Sequence, residues 1–304
     1  MSSFNQLITK ISQGLLIALT LVLAGCTTGG HGANKAALRA QPLMGIFGTY
    51  AAEPRTKGRV DTDRLVTELL KARVNTYNFL VHHQPTDWDD LLIFLPKAKA
   101  KGIKVWVTLV PPSEPPLSVP FGSDYQRWAV ELAKLSLAET NLVAWSIDDF
   151  FYNEKLFTPD YIQHMVAGSH GINPQFAFVP CLYYRQVTPV RLANYARYFD
   201  GVLFPYRHEM GKENLSDWDT LPVEIAAFHR WFGPSVPVIV DVYATKHSKL
   251  NESSPEYVRQ VMEISRQQAE GVLIFCHQYE DKNPEKYHVI QNLFSEWSKN
   301  DTGR

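Results

Sequence analysis

Cysteine is nearly absent from this chain, with three residues in 304: Cys26, Cys181 and Cys276. So few exclude a disulfide-stapled scaffold and leave stability to an apolar core. An excess of one charge is missing too, since 30 Lys and Arg face 31 Asp and Glu. That balance gives no footing for a nucleic-acid partner. Long hydrophobic runs are absent after residue 25, so no later segment is expected to span a membrane. The spaced-glycine phosphate fingerprint is missing where the first strand ends, in "GIFGTYAAEP", which argues against a dinucleotide-binding sheet. No Gly-x-Ser-x-Gly elbow occurs, and Cys181 and Cys276 lie in apolar strand contexts, so serine or thiol nucleophile chemistry has no support. Both thiols fall on non-adjacent strands and are expected free and packed. No cofactor motif is read, and no metal ligand set is assigned.

One apolar run is present at the start. Lys10 precedes "GLLIALTLVLAG", which is closed by Cys26. It is too short to span a bilayer and suits the hydrophobic region of a signal peptide over residues 1–25. The junction "LAGC" resembles the bacterial lipoprotein box, which implies that Cys26 becomes the lipidated first residue of an exported, membrane-anchored protein. An ordinary secretory signal is the alternative. Thr27, where an aspartate would favour inner-membrane retention, points to the outer membrane. Residues 26–41, rich in Gly, Thr, Ala and His, read as a flexible tether, and residues 299–304 as a polar tail.

From Pro42 to residue 298, β-rich runs alternate with amphipathic helical runs eight times. The strands are "PLMGIFGTY", "VNTYNFLVH", "IKVWVTLV", "LVAWSID", "QFAFVPCLY", "GVLFPY", "VPVIVDVY" and "GVLIFCH". Helices are expected over 61–73, 87–101, 123–139, 158–170, 188–197, 217–231, 254–270 and 283–297. Four of them open on a capping residue followed by proline: "TPDY", "TPVR", "SPEY" and "NPEK". Eight such units predict an α/β fold, a single (β/α)8 TIM barrel. Turns entering strands are tight, whereas loops leaving them, such as "PPSEPPLSVPFG", are long and polar; the site is therefore expected at the strand C-terminal ends.

Period-two alternation then selects the side chains that reach the lumen. On the fourth strand Val143, Trp145 and Ile147 are expected to face helices, with Ala144, Ser146 and Asp148 inward and Asp149 on the loop. On the seventh, Ile239, Asp241 and Tyr243 point inward; on the second, Thr76, Asn78, Leu80 and His82. Other strand ends add Tyr50 and Glu53, then Tyr183, Tyr184 and Arg185, then Tyr206, Arg207, His208 and Glu209, then His277, Gln278 and Asp281. Aromatics mixed with acids and amides are the composition of a sugar cleft. Glycoside hydrolysis needs one carboxyl to protonate the leaving oxygen and another to attack carbon or activate water. Asp148 and Asp241 lie across the mouth from one another, Asp149 is placed to tune Asp148, and Glu209 is an open alternative to Asp241 as second carboxylate.

The barrel pattern, the lipoprotein start and the ending "WSIDDF" resemble the broad group of (β/α)8 glycoside hydrolases and their lipoprotein relatives. That resemblance implies a polysaccharide or oligosaccharide substrate. The large clan with Asn-Glu after strand four and Glu after strand seven is matched only by Asp148-Asp149 and Asp241. Two alternatives remain: a non-catalytic barrel that binds glycan or protein, and a metal-dependent hydrolase. The second would draw on His82, His83, His208, His277 and Asp281, yet adjacent histidines on a strand point to opposite faces.

Overall fold

The computed structural model describes residues 30–301. The expected signal segment and Cys26 lie outside the described residues. Ten strands run in order as β1 Ile46–Tyr50, β2 Arg55–Thr56, β3 Arg59–Val60, β4 Thr76–Val81, β5 Lys104–Leu109, β6 Leu142–Ile147, β7 Ala177–Phe178, β8 Val202–Pro205, β9 Val238–Tyr243 and β10 Gly271–Phe275. Eight of them form one parallel sheet in the order β7-β6-β5-β4-β1-β10-β9-β8. A parallel bridge between Cys181 and Leu203 joins its two ends, with Leu182 N donating to Leu203 O and Leu203 N to Pro180 O. The sheet is therefore closed, as the eightfold pattern predicts. Strand β7 is much shorter than the run from which it was read, because Pro180 brings no donor to the ladder. Val179 N and Cys181 N still bond to Trp145 O and Ile147 O, which keeps the extended chain in place beyond the strand.

Helices alternate with these strands where amphipathic spacing puts them. Those opening on proline are Pro159–Ile172, Pro189–Tyr195, Pro255–Gln268 and Pro284–Asp301; Thr158, Thr188 and Ser254 accept from the amides of Tyr161, Arg191 and Tyr257. The helix expected from Asp217 begins instead at Leu221. Asn214 Oδ1 accepts from the amides of Ser216 and Asp217, a side-chain turn that holds this stretch out of the helix.

Two layers of core follow from the alternation. Trp145, Ile147, Val238, Val240 and Val242 pack outward against helices, whereas Trp106, Ala144, Val179, Leu203, Ile239 and Leu273 fill the lumen. Val143 departs from expectation. The register jumps from Val105 opposite Leu142 to Trp106 opposite Ala144, so Val143 is the unpaired residue of a bulge and packs with the lumen side.

Part of the expected tether is ordered. Residues Gly30–Ala40 form a helix, and Arg39 Nε donates to Asp200 Oδ1 at 2.5 Å. Asp200 Oδ2 also meets His170 Nε2 at 2.9 Å and accepts from Phe178 N, so one buried carboxylate gathers the leading helix, a barrel helix and β7. Leu43, fully buried, then closes the lumen from below, 2.8 Å from where a side chain on Gly201 would begin. The Asp-Gly turn into β8 thus leaves room for this plug. Among the described residues no helix is long and apolar enough to cross a membrane.

Gly48 on β1 is fixed by a close approach. A Cβ there would stand 1.9 Å from Thr76 O, a backbone atom held in the β4 ladder. Gly48→Ala is expected to destabilise the barrel by about 3 kcal/mol, the upper range of overpacking, read as a lower urea midpoint.

Candidate functional site

A cavity of about 860 Å³ opens at the C-terminal ends of the strands. It collects Tyr50, His82, Asp148, Asp149, Tyr183, Arg207, Asp241 and Tyr243 from the residues singled out in the sequence. Ser113, Glu114, Tyr152, Cys181, His247 and Lys249 join them. The barrel register explains the convergence, because inward positions of neighbouring strands end at one level.

The adjacent aspartates have a local explanation. Asp148 leaves β6 facing the cavity, and Asp149 turns at once into the left-handed region, φ 45° and ψ 41°. Aspartate tolerates that conformation better than most residues. The turn lets Asp149 N donate to Asp148 Oδ1 at 2.9 Å, while Asn153 Nδ2 and Tyr152 N bond to Asp149 O. It also keeps the second carboxyl on the same side as the first. Burial, then the charge of Asp149, push the Asp148 carboxyl up to about 7, against a stabilising hydrogen bond from the Cys181 thiol.

Across the mouth, Asp241 is 1% exposed. Tyr50 Oη donates to its Oδ2 at 2.7 Å, while Oδ1 has no partner. Burial pushes this carboxyl up to about 8; the Tyr50 bond opposes the shift and the Asp148 charge adds to it. No Lys or Arg among the described residues pairs with Asp148, Asp149 or Asp241. Two carboxyls that tend to keep a proton therefore face one space.

Aromatic rings wall the cavity. Tyr50, Phe275 and Tyr243 follow one another at centroid distances of 5.2 and 5.3 Å, and Tyr243 meets His247 at 5.7 Å. On the other side the guanidinium of Arg207 lies 4.0 Å from the centre of the Tyr183 ring. Tyr152, 62% exposed, stands 6.0 Å from Tyr183 and offers an open face at the mouth.

Several residues expected here lie elsewhere. Glu209 is buried in a salt bridge with Arg207, and its Oε2 accepts from Arg185 N, so both oxygens are engaged away from the cavity. It positions Arg207, leaving Asp241 as the carboxylate that faces Asp148. Arg185 itself reaches outward to Glu213 and Gly211 O. Glu53 turns from the lumen toward Tyr77, whose buried ring belongs to the outer layer. Tyr206 is directed behind the barrel, where its hydroxyl bonds Asp217 O and Thr220; Tyr184 packs on Trp231. Asn78 sits in the lumen, accepting from Thr108 Oγ1. His277 packs edge-on against Tyr279, and Gln278 bonds back to Cys276 O. His208 binds Asp219, so the histidines His82, His208 and His277 do not assemble.

The expectation that His82 and His83 diverge is corrected. β4 ends at Val81, and the amides of His82 and Gln84 both donate to Asp87 Oδ2, a turn that ends the alternation. The two rings then stand 4.1 Å apart, and Glu114 completes a group whose ligand atoms lie within 4.8 Å of one another. Glu114 was missed in the sequence because its loop has no periodicity to orient it. Its one signal was an acid within a long, proline-rich segment leaving a strand. Both remaining cysteines are free, as expected.

No protein-family model and no curated protein matches the chain. Solved structures do. A family 39 glycoside hydrolase from Bacteroides cellulosilyticus WH2 aligns with TM-score 0.58 at 11% identity, over 84% of this chain and 64% of that one. A β-D-glucuronidase from Dictyoglomus thermophilum aligns with TM-score 0.56 at 12% identity, over 83% of this chain and 50% of its own. The chain thus spans half to just under two thirds of these two proteins. A tryptophan synthase from M. tuberculosis in an aminoacrylate-bound form also aligns, with TM-score 0.54 at 14% identity over 84% and 98%. The shared feature is the fold, a parallel α/β barrel of the kind that glycoside hydrolases use, and function has to be argued from the site.

A folded-state carboxyl titrating above its unfolded value holds a proton that the unfolded chain has already released. Stability therefore falls as pH rises from the unfolded value of about 4 toward the folded values of about 7 and 8 for Asp148 and Asp241. Asp241→Asn is expected to flatten that decline, measured as urea midpoints across this range.

Proposed function

We propose that the protein is an exported, lipid-anchored glycoside hydrolase acting on a cell-envelope or extracellular polysaccharide. The observation that carries this reading is the facing of Asp148 and Asp241 across one aromatic-walled cavity, both raised by burial and neither held by a cation. Glycosidic cleavage needs one protonated and one ionised carboxyl in the same complex. A coupled pair with values near 7 and 8 supplies that state around neutral pH, with the proton belonging to the pair rather than to either residue. Tyr50 fixes the rotamer of Asp241 through its hydroxyl, and Asp149 raises Asp148.

Supporting groups fit a sugar polymer. Pyranose faces are apolar and stack on an open ring such as Tyr152, while Arg207, His247 and Lys249 offer donors to hydroxyl or carboxylate substituents. The likeness to glycoside hydrolase barrels raises the weight of this reading as analogy. Export and anchoring rest on the "LAGC" junction at Cys26.

The test is release of reducing ends from a panel of envelope polysaccharides by the full chain. Asp148→Asn is expected to lower turnover by about 10²- to 10⁴-fold with the fold unchanged. The parent should show a bell-shaped pH profile with limbs near 7 and 8. Full activity in Asp148→Asn would overturn the assignment, and ligand binding without turnover by the parent would replace it with a glycan-binding role.

A further inference from the structure

The cavity rim carries a group that the hydrolytic reading leaves unused. His82, His83 and Glu114 come from two loops, after β4 and after β5, and their ligand atoms all lie within 4.8 Å of one another. We propose that these three side chains bind a zinc-like divalent transition-metal ion, with an open coordination position turned toward the cavity.

The donor set is the first reason. Two imidazoles and one carboxylate are the ligands of a borderline ion such as Zn²⁺, and three protein donors leave a fourth position for water or a ligand. A tetrahedral ion with bonds of about 2.0–2.2 Å holds its donors about 3.4 Å apart. Closing from 4.8 Å is a side-chain adjustment of little more than about 1 Å, within reach of the χ rotations of His and Glu.

The second reason is independent of proximity. His83 Nδ1 stands 3.2 Å from Pro116 O, a carbonyl that only accepts. Nδ1 must therefore carry the proton, which leaves Nε2 of the neutral ring with its lone pair free. A ligand histidine held by a backbone carbonyl through its other nitrogen is the usual outer support of a metal site.

The loops bearing the donors are also tied to each other. Ser118 Oγ donates to Val81 O at 2.5 Å and accepts from Val110 N at 3.3 Å, joining the chain just before His82 to the loop that carries Glu114. Asp87, 1% exposed and paired with Arg55, fixes the His82 turn. Asp149 and Glu114 line the same cavity, which links this rim to the aspartates at the end of β6. His82 and Glu114 both line the cavity, so a group on a bound sugar, carboxylate or paired hydroxyls, is within reach of the open position.

The experiment is isothermal titration of the chelator-treated full-length chain with Zn²⁺, repeated with Co²⁺ to read visible absorption from the bound ion. One equivalent is expected to bind. His83→Ala and Glu114→Gln should each weaken binding at least about tenfold and remove the cobalt bands, whereas His288→Ala, on an exposed helix face, should change neither. Both cluster substitutions lie on loops and leave the barrel intact, which circular dichroism checks. Absence of saturable binding, or binding and spectra unchanged in both cluster variants, would overturn the proposal. Neither readout depends on glycosidase activity, so its failure is separate from failure of the hydrolase reading.

Discussion

Asp148 and Asp241 occupy the mouth of a closed barrel with no cation paired to either among the described residues, and the surrounding structure holds the two carboxyls in one space. A carboxyl removed from water with no cation to pair with tends to keep its proton. Tyr50 bonds one of these groups, the Cys181 thiol and the Asp149 amide bond the other, and the parallel ladder fixes how far the two strands lie from the mouth. The closure of the sheet through Cys181 and Leu203 also places the thiol beside Asp148. Fold and site thus depend on the same few residues where the sheet joins.

Much of the surrounding polar network is positional rather than chemical. Glu209 holds Arg207 over Tyr183, Asp87 holds the turn carrying His82, and Asp200 ties the leading helix to the barrel. Each is a buried acid with its oxygens satisfied by arginine, histidine or backbone amides. Asp241 differs from these three in facing the cavity with one oxygen, Oδ1, left without a partner, which is why the proposed chemistry is placed there.

The architecture was legible because it repeats. Period-two runs followed by capped, proline-started helices recur eight times, and the inward sets on β6 and β9 follow from counting along a strand. Counting fails where the backbone leaves the strand. Val143 is displaced by a bulge, His82 and His83 converge because the strand has ended, and Glu209 is captured by an arginine two positions earlier. Glu114 lies on a loop whose course depends on contacts such as Ser118 to Val81, which no local pattern announces. Sequence therefore indicates which residues end near the mouth, and tertiary contacts decide which of them face it.

The hydrolase proposal stands on Asp148 and Asp241 holding one proton between them near neutral pH. Carbon-13 NMR of the aspartate carboxyls, assigned by Asp148→Asn and Asp241→Asn, reads that proton at each residue. Two coupled resonances titrating around 7 to 8 are expected, each simplified when the other residue is replaced. Two independent titrations near the ordinary value of about 4 would contradict it.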